Sequence, residues 1–345
     1  MAIQQMFLGA GGAVPFEMSG GNNSGAGYEY TFGGTTYRVH TFLSNGTLTV
    51  TGEGEYEALL VGGGGGGHYN GGGGGGGGVI YVGGGAGGAK TISAGTYNVV
   101  IGQGGDTEGN YNYPQVPSVD ATNDGGSSTF DGYTATGGGS GSGGLHGGVA
   151  ARAGANGGGM ADYSTTSVTG TAPALPSGDT HGASYGGYTG GQWVNTGNYY
   201  ISGAGAGAGG NASTTTDASV GSAGGVGKQI AWTTLKALTG TGDNVTGLYW
   251  GGGGGAHSNW GSADGGAGGA GGGGAGGSSI GPGVGGSGLN QGGGDPTGLA
   301  GNSISAGDGG ANTGGGGGSC KVVSAGYSGT GGVGGSGIVI IRYVV

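Results

Sequence analysis

Two short segments of the chain resemble motifs that carry out chemistry on acyl or phosphoryl groups. Residues 182–186 (GASYG) fit the G-x-S-x-G nucleophile elbow, which needs a strand before the serine and a helix after it. The flanking sequence predicts neither, and a chain rich in Gly and Ser contains such matches by chance. Gly227-Lys228 resembles the end of a phosphate-binding loop, but Ser222 stands at a required glycine and Gln229 replaces the Ser or Thr. We therefore expect no catalytic residue and no enzyme.

The sequence contains few patterns that could bind a metal ion. Residues 120–131 partly resemble a calcium loop, with Asp120, Asp124 and Asp131 as acids and Gly125 at the sixth position. Thr122 departs from the pattern, Asp131 replaces the terminal Glu, and no flanking helix is evident, so an ordinary Asp/Gly turn is favoured. No paired metal-ligand spacing is found among the five histidines, His40, His68, His146, His181 and His257. The single cysteine, Cys320, excludes an internal disulfide and is expected to be buried or inert. We expect no metal and no cofactor.

The charge balance excludes further classes. Seventeen acidic residues against seven basic ones give a net charge of −10, so no basic stripe can neutralise phosphates and nucleic-acid binding is not expected. No run of about 18 apolar residues could insert into a membrane. The first residues, MAIQQMFLG, lack the basic region and the long apolar stretch of a signal peptide. We therefore expect synthesis in the cytoplasm of a host cell without secretion through a signal peptide.

Glycine dominates the elements that must position any site. It supplies 112 of 345 residues, whereas charged residues are 7% and hydrophobic residues 33%. Uninterrupted runs such as 71–78 exclude collagen, which needs a strict three-residue repeat rich in proline. The low charge is atypical of disorder, and the apolar content is too small for an ordinary core. Backbone hydrogen bonds must therefore hold the structure together.

The glycine tracts predict a bundle of polyglycine II helices. Such a helix is extended, has three residues per turn and makes no internal hydrogen bonds, so side-chain-free helices can bond to neighbours on several sides. Tolerated side chains should then recur every third residue on an outer face, as in Thr330, Val333 and Ser336. The pairs Ala86/Ala89, Ala223/Val226 and Ala267/Ala270 have the same spacing. The period-two segment 203–208 (GAGAGA) instead suggests a silk-like strand.

Strand patterns lie mainly at the two ends of the chain. Residues 28–61 predict a β-meander that alternates apolar and polar side chains around an Asn45-Gly46 turn and ends in a more buried strand over 56–61 (YEALLV). Residues 91–101 predict another strand pair. The apolar run 338–345 (IVIIRYVV) fits a strand covered on both faces, and we expect it to lie beside the N-terminal sheet. Helical periodicity is nearly absent, with 230–238 the nearest candidate. The predicted fold is all-β: N- and C-terminal strands forming a β-sandwich or sheet plus packed polyglycine II helices, with almost no α-helix.

Most aromatic residues lie in longer loops that contain less glycine, at 106–136, 160–201, 211–220, 228–250 and 256–264. Tyr and Trp amid Ser, Gly and Asn form the composition of an antibody-like binding surface, and loops on a rigid scaffold often carry function. The alternative is that these aromatics cap the edges of the bundle. The candidate receptor-binding residues are Tyr111, Tyr113, Tyr163, Tyr185, Tyr188, Trp193, Tyr199, Tyr200, Tyr249, Trp250 and Trp260.

Four segments resemble a family of glycine-rich proteins at fibre tips and other virion appendages of tailed bacteriophages: 40–67, 91–105, 125–139 and 331–345, the last closing on GGSGIVIIRYVV. The opening MAIQQMFLGAGG is similar to the start of virion structural proteins of marine phages. The matches cover about a third of the chain and leave 140–250 largely uncovered. The resemblance implies a β-rich module with packed polyglycine helices, displayed on a virion, whose variable loops meet a host receptor.

From these patterns we expect four regions: an attachment or assembly segment over 1–27, a β-meander with the first glycine tracts over 28–105, the glycine-helix bundle with inserted aromatic loops over 106–328, and a closing tract and strand over 329–345. Ile3, Met6, Phe7 and Leu8 are the attachment candidates.

The expected function is that of a virion structural protein, a tail-fibre tip or adhesin that binds a host glycan or outer-membrane protein. The alternatives are a capsid-decorating or appendage-forming protein whose loops make subunit contacts and, less favoured, an ice-binding protein. Expected partners include other fibre or tail proteins and copies of the chain itself, with a homotrimer weakly preferred because shared burial helps a chain with a small core.

Overall fold

The computed structural model describes residues 14–22, 25–107, 111–112, 123–143, 150–161, 166–195, 200–217, 220–244, 246–258, 264–277, 283–293, 303–320 and 328–345. Its strands are β1 (Glu17–Gly20), β2 (Tyr28–Phe32), β3 (Thr35–Phe42), β4 (Gly46–Thr51), β5 (Gly54–Val61), β6 (Val79–Val82), β7 (Lys90–Ile92), β8 (Gly95–Val99), β9 (Tyr111–Asn112), β10 (Ser128–Phe130), β11 (Tyr133–Ala135), β12 (Gly182–Tyr185), β13 (Val194–Asn195), β14 (Tyr200–Ile201), β15 (Lys228–Ile230), β16 (Leu248–Trp250), β17 (Ser303–Ser305), β18 (Ser328–Thr330) and β19 (Ile338–Val344); one helix, α1, spans Leu235–Thr239. Among these residues, no helix has the length and apolar character needed to cross a bilayer.

A central sheet joins the two ends of the chain. Its strand order is β12-β6-β5-β19-β3-β2, with β7 also paired to β5. Strand β19 lies antiparallel between β5 and β3, which confirms that the C-terminal run returns to the N-terminal sheet. Residues 338–343 are all buried, because both faces of this sheet are covered. A strand in that position needs apolar side chains on both sides.

A second sheet, β1-β4-β8, covers one face of the central sheet. Met18, Leu48 and Val50 from this second sheet pack in one apolar cluster with Leu60 and Ile341 of the central sheet. The two sheets therefore form the predicted β-sandwich. Strand β1 lies within the predicted attachment segment 1–27, and it pairs with β4 along its whole length.

The opposite face of the central sheet is covered by the β15-β16 hairpin and α1. Trp232, Leu238 and Trp250 from this layer pack with Leu59 and Ile340 of the sheet. Helix α1 begins after Thr234, whose side chain accepts a hydrogen bond from the Ala237 amide, and ends at a left-handed Gly240. The expected helix at 230–238 is thus shortened, because its first residue belongs to β15.

The glycine tracts form the predicted polyglycine II threads, extended stretches that bond sideways to neighbouring stretches. In the thread 62–68, successive backbone amides donate to different neighbouring segments, and every third amide donates to the same segment. The N···O distances are 2.9 to 3.2 Å. Gly62, Gly65 and His68 donate to 72–78, Gly63 and Gly66 to 123–126, and Gly64 and Gly67 to 332–335. A three-residue repeat of bonding direction is what a helix with three residues per turn produces.

Two inner threads, 72–78 and 252–256, are bonded on all sides. Amides of 72–78 donate to 136–142, 203–206 and 314–317, while its carbonyls accept from 62–68, Gly159 and Gly254. Amides of 252–256 donate to 271–274, 222–225 and Gly74, while its carbonyls accept from 316–319, 266–269 and Gly205. Each inner thread thus has six bonded neighbours, so its buried backbone groups are satisfied without a pleated sheet.

Close approach of neighbouring backbones is the reason that these threads require glycine. No glycine of 62–67 or 72–78 has a left-handed φ, so other residues could adopt the same backbone. A Cβ built on any glycine of 62–67, however, would lie closer than 3.0 Å to a backbone carbonyl of another thread. Any side chain would force the threads apart and break their lateral bonds.

Outer threads carry side chains every third residue, as predicted. The parallel threads 220–227 and 264–270 are joined by bonds such as Gly224 N to Ala267 O, at 2.9 Å. Val220 and Val226 are 39% and 50% exposed, and Ala267 is also exposed. Side chains are therefore tolerated where a thread faces solvent.

Two sequence expectations about glycine segments were wrong. The GAGAGA segment 203–208 is a thread of the bundle rather than a silk-like strand, because its amides and carbonyls bond to different neighbours in turn, among them Gly254 and Gly73. The segment 83–88, which holds Ala86, is a turn between β6 and β7 with a local Gly88 N to Gly85 O bond of 3.1 Å. Spacing alone does not separate a thread from a turn.

Candidate functional site: the far end of the glycine bundle

The threads run back and forth between the central sheet and an opposite end of the bundle, here called the far end. Thread 62–67 follows β5 and 72–78 precedes β6, so the turn 68–71 lies at the far end. Thr107 Oγ1 donates to Gly67 O at 3.0 Å, and Cys320 N to His68 O at 3.3 Å. Both residues therefore lie beside this turn.

Other threads end in the same place. Six more threads adjoin the strands β8, β11, β12, β15, β16 and β18. On the side away from the sheet, the last described residues of these threads are, in the same order, Thr107, Gly143, Asn195, Val220, Ser258 and Ser328. At each of these points the chain passes into or out of a stretch between described ranges. Several of the glycine-poorer segments thus connect to the scaffold at the far end, whereas 228–250 forms β15, α1 and β16 over the central sheet.

A buried polar cluster ties several thread ends together. Ser202 Oγ lies 3.0 Å from His257 Nδ1 and 3.3 Å from Ser319 Oγ, which accepts a hydrogen bond from the His257 amide at 3.1 Å. A serine beside a histidine resembles a nucleophile with its base, yet these three side chains are at most 1% exposed. Their burial favours a structural role, holding three threads in register. Sequence reasoning missed the cluster because its members are 55 and 62 residues apart.

Only part of the predicted aromatic set is placed at the far end. Trp193 is half-buried directly before β13, which pairs with β14. The backbones of Tyr111 and Tyr200 lie in β9 and β14. Several predicted residues lie outside the described ranges: Tyr113, Tyr163, Tyr199 and Trp260, together with the attachment candidates Ile3, Met6, Phe7 and Leu8.

A second group of predicted residues lies near the sheet instead. Tyr185 ends β12, with Lys228 Nζ 4.2 Å from its ring centroid, and Tyr188 follows at the start of the thread 187–193. Tyr249 lies in β16 opposite Gln229. The thread 187–193, which lies between Tyr185 and Trp193 in the chain, is roughly 19 Å long at about 3.1 Å per residue. The candidates therefore do not form one surface.

The prediction that Trp250 contacts a receptor is wrong. Its side chain is 0% exposed and packs in the cluster that covers the central sheet. Its indole Nε1 donates to Thr233 Oγ1 at 2.9 Å. Residues 248–250 form a strand, and a tryptophan there supplies the apolar cover that this face of the sheet needs.

The motif candidates have structural roles in the described part of the chain. Ser184 lies in β12, where its Oγ donates to Pro173 O at 2.6 Å, and the chain continues as a thread rather than a helix. Asp131 is bound by Lys90 Nζ at 2.7 Å and by the Tyr56 hydroxyl at 2.6 Å. Burial, reinforced by the Asp131 carboxylate, raises the pKa of Tyr56 far above its ordinary value. Asp124 pairs with Arg152 at 2.6 Å. These contacts favour an ordinary turn over a calcium loop.

Within the described ranges, no group of three or more His, Cys, Asp or Glu residues could hold a metal ion. Cys320 is buried, as expected.

The sheet end contains a buried charged residue, Arg342, inside an aromatic enclosure. It forms an ion pair with Glu57, and its Nη1 lies 2.8 Å from the Tyr30 hydroxyl. The guanidinium carbon lies 4.1 Å from the Tyr37 ring centroid and 4.4 Å from that of Trp232. Burial opposes the charge, but Tyr30 and Glu57 outweigh it and raise the pKa of Arg342. The arginine is therefore a charged cross-link between β19, β5 and β2.

No protein-family model matches the chain, and no curated protein matches its sequence.

Proposed function

We propose that the protein is a structural component of a bacteriophage virion, a tail-fibre tip or adhesin that binds a host receptor with the loops at its far end. The observation that supports this proposal is the path of the threads. The described residues next to Tyr113, Tyr199 and Trp260 lie at the far end of a scaffold whose inner threads are bonded on all sides. A rigid scaffold that presents several loops with Tyr, Trp, Ser and Asn is suited to binding.

The receptor is proposed to be a glycan or an outer-membrane protein of the host. Aromatic faces can stack on sugar rings or cover apolar protein surface, and in both cases binding orders few rotatable bonds. The central sheet, at the other end of the bundle, would face the rest of the virion. The family resemblance of the strand and glycine segments supports the same arrangement.

The test is competition for phage adsorption. Purified protein is incubated with the bacterium on which the virion propagates, and adsorption of the phage is then measured. We expect wild-type protein to block adsorption, and Trp193→Ala combined with Trp260→Ala to lower the blocking potency at least about tenfold, the loss of a binding hot spot.

The matched control is Tyr249→Ala, which removes a half-buried aromatic side chain at the sheet end. It should block as well as the wild type. Equal loss in both variants, or blocking that survives the loss of Trp193 and Trp260, would contradict the proposal. If exchange of the far-end loops between related virions altered assembly and left host range unchanged, the chain would be an appendage-forming protein instead.

A further inference from the structure

A cleft of about 310 Å³ opens at the end of the central sheet that is remote from the glycine bundle. Its lining includes the aromatic residues Phe16, Tyr37 and Tyr343 and the acidic residues Glu55 and Glu57. Phe16 and Tyr343 meet edge to face with centroids 5.2 Å apart. The volume is at the lower limit of small-ligand sites, which suits one or two side chains better than a large ligand.

The charges at the cleft leave a negative surplus. Glu57 is paired with Arg342, whose guanidinium also contacts Tyr30 and is stacked between aromatic rings. Glu55 is exposed, and no ion pair engages it within the described ranges. The cleft therefore offers an available carboxylate next to aromatic faces, while its only lining cation is already neutralised.

The residues around the cleft also carry unpaired negative charge. Glu17 follows Phe16 directly, and Glu53 precedes β5; both are exposed and form no ion pair in the described part of the chain. The nearby cations Arg38 and Lys90 are paired with Glu29 and Asp131. The unpaired charge around the opening is therefore acidic.

Exposed apolar residues flank the opening. Val344 lines the cleft and is 60% exposed, Val345 beside it is 50% exposed, and Val14 is 66% exposed. Apolar side chains grouped around a polar cleft are typical of a surface that meets another protein. A free small cation would leave these valines in water, so the apolar rim favours a basic residue within a polypeptide.

We propose that this cleft docks a basic segment of a partner protein, with an arginine against the outer surface of the Phe16–Tyr343 ring pair and next to Glu55. The planar guanidinium can stack on an aromatic ring and bond a carboxylate in two places, which a lysine ammonium cannot do. The residues beside the arginine would be apolar and would cover Val344 and Val345. The surface is at the opposite end from the receptor loops, so it would serve attachment rather than host recognition.

The test uses two short probes, the capped peptides acetyl-Val-Arg-Val-amide and acetyl-Val-Gln-Val-amide, titrated into the full chain and followed by NMR. The arginine peptide should bind in the millimolar range and shift ring signals of Phe16 and Tyr343. Glu55→Gln should weaken it by about three- to fivefold, the size expected of a partly exposed ion pair. The glutamine peptide should bind the wild type no more tightly than the arginine peptide binds Glu55→Gln.

The control is Asp264→Asn, which removes one exposed carboxylate from the glycine bundle and should leave binding unchanged. Circular dichroism of both variants checks that the fold is intact. The proposal is overturned if the glutamine peptide binds equally well, if Glu55→Gln has no effect, or if neither peptide binds. It is also overturned if Val344→Asp converts an oligomer into monomers in sedimentation, because the occupant would then be a second copy. Neither measurement involves host cells, so failure here leaves the receptor proposal untouched.

Discussion

Replacing a single inner glycine with alanine should destabilise the whole protein. Gly74 lies in an inner thread, where its amide donates to Gly317 O and its carbonyl accepts from Gly254 N, each at 2.8 Å. A Cβ at this position would lie closer than 3.0 Å to Gly65 O, a backbone atom that cannot rotate away. The methyl group can be accommodated only if the two threads separate.

The expected size of the effect follows from that separation. Overpacking a filled interior costs about 1–3 kcal/mol, and weakening two backbone hydrogen bonds adds about 0.5–1.5 kcal/mol each. Gly74→Ala should therefore lower the free energy of unfolding by roughly 2–6 kcal/mol. That is a large part of the total of about 5–15 kcal/mol that is typical of folded proteins.

The assay is guanidinium unfolding followed by circular dichroism, with Gly210→Ala as the matched control. A Cβ at Gly210 would meet only Val226 Cγ2, at 3.4 Å. Alanine there should be neutral or stabilise the protein by up to about 1 kcal/mol, because it restricts the unfolded chain. The reasoning is refuted if Gly74→Ala is as stable as the wild type, or if Gly210→Ala loses as much stability as Gly74→Ala.

Three further predictions concern the sheet region. Arg342→Met should destabilise the fold by about 3–5 kcal/mol, because Glu57 is left as an unpaired, largely buried charge, whereas Arg38→Met at an exposed pair should cost at most about 1 kcal/mol; denaturant unfolding of both variants compares them. Burial lowers the pKa of His40 below its ordinary 6.5, so the folded protein should lose stability as the pH falls below that value. The unfolding midpoint should therefore be lower at about pH 5.5 than at about pH 7.5, and His40→Gln should make this difference smaller. Trp250→Phe should lower the free energy of unfolding by about 1–3 kcal/mol, through lost packing and a lost indole hydrogen bond, without changing adsorption blocking; reduced blocking by a folded variant would contradict its placement in the core.

The strands could be predicted from sequence because the order of apolar and polar residues matches which faces of each strand are buried. Alternation over 28–32 and 46–51 matches strands with one buried face, and the unbroken apolar run 338–344 matches a strand buried on both faces. The threads were predictable for a different reason. A backbone without side chains can be satisfied only by lateral bonds, and the positions of Ala223, Val226 and Ala267 mark the outward direction.

The placement of the candidate site was less accessible from sequence. Trp250 and Tyr249 are adjacent large aromatic residues, yet Trp250 is buried and Tyr249 is half-exposed, because their side chains lie on opposite faces of β16. The sequence 203–208 alternates as a strand does, but the six-neighbour packing of the bundle imposes the thread conformation on it. The cluster of Ser202, His257 and Ser319 depends on which threads are adjacent, and no local pattern encodes that adjacency.

Amide hydrogen exchange of the inner threads tests the central claim most directly. If lateral backbone bonds hold the domain together, the amides of 73–77 and 252–256 should exchange as slowly as those of β5 and β19, through global unfolding. Exchange of these glycines at the rate of a solvated chain, while the sheet stays protected, would contradict the account.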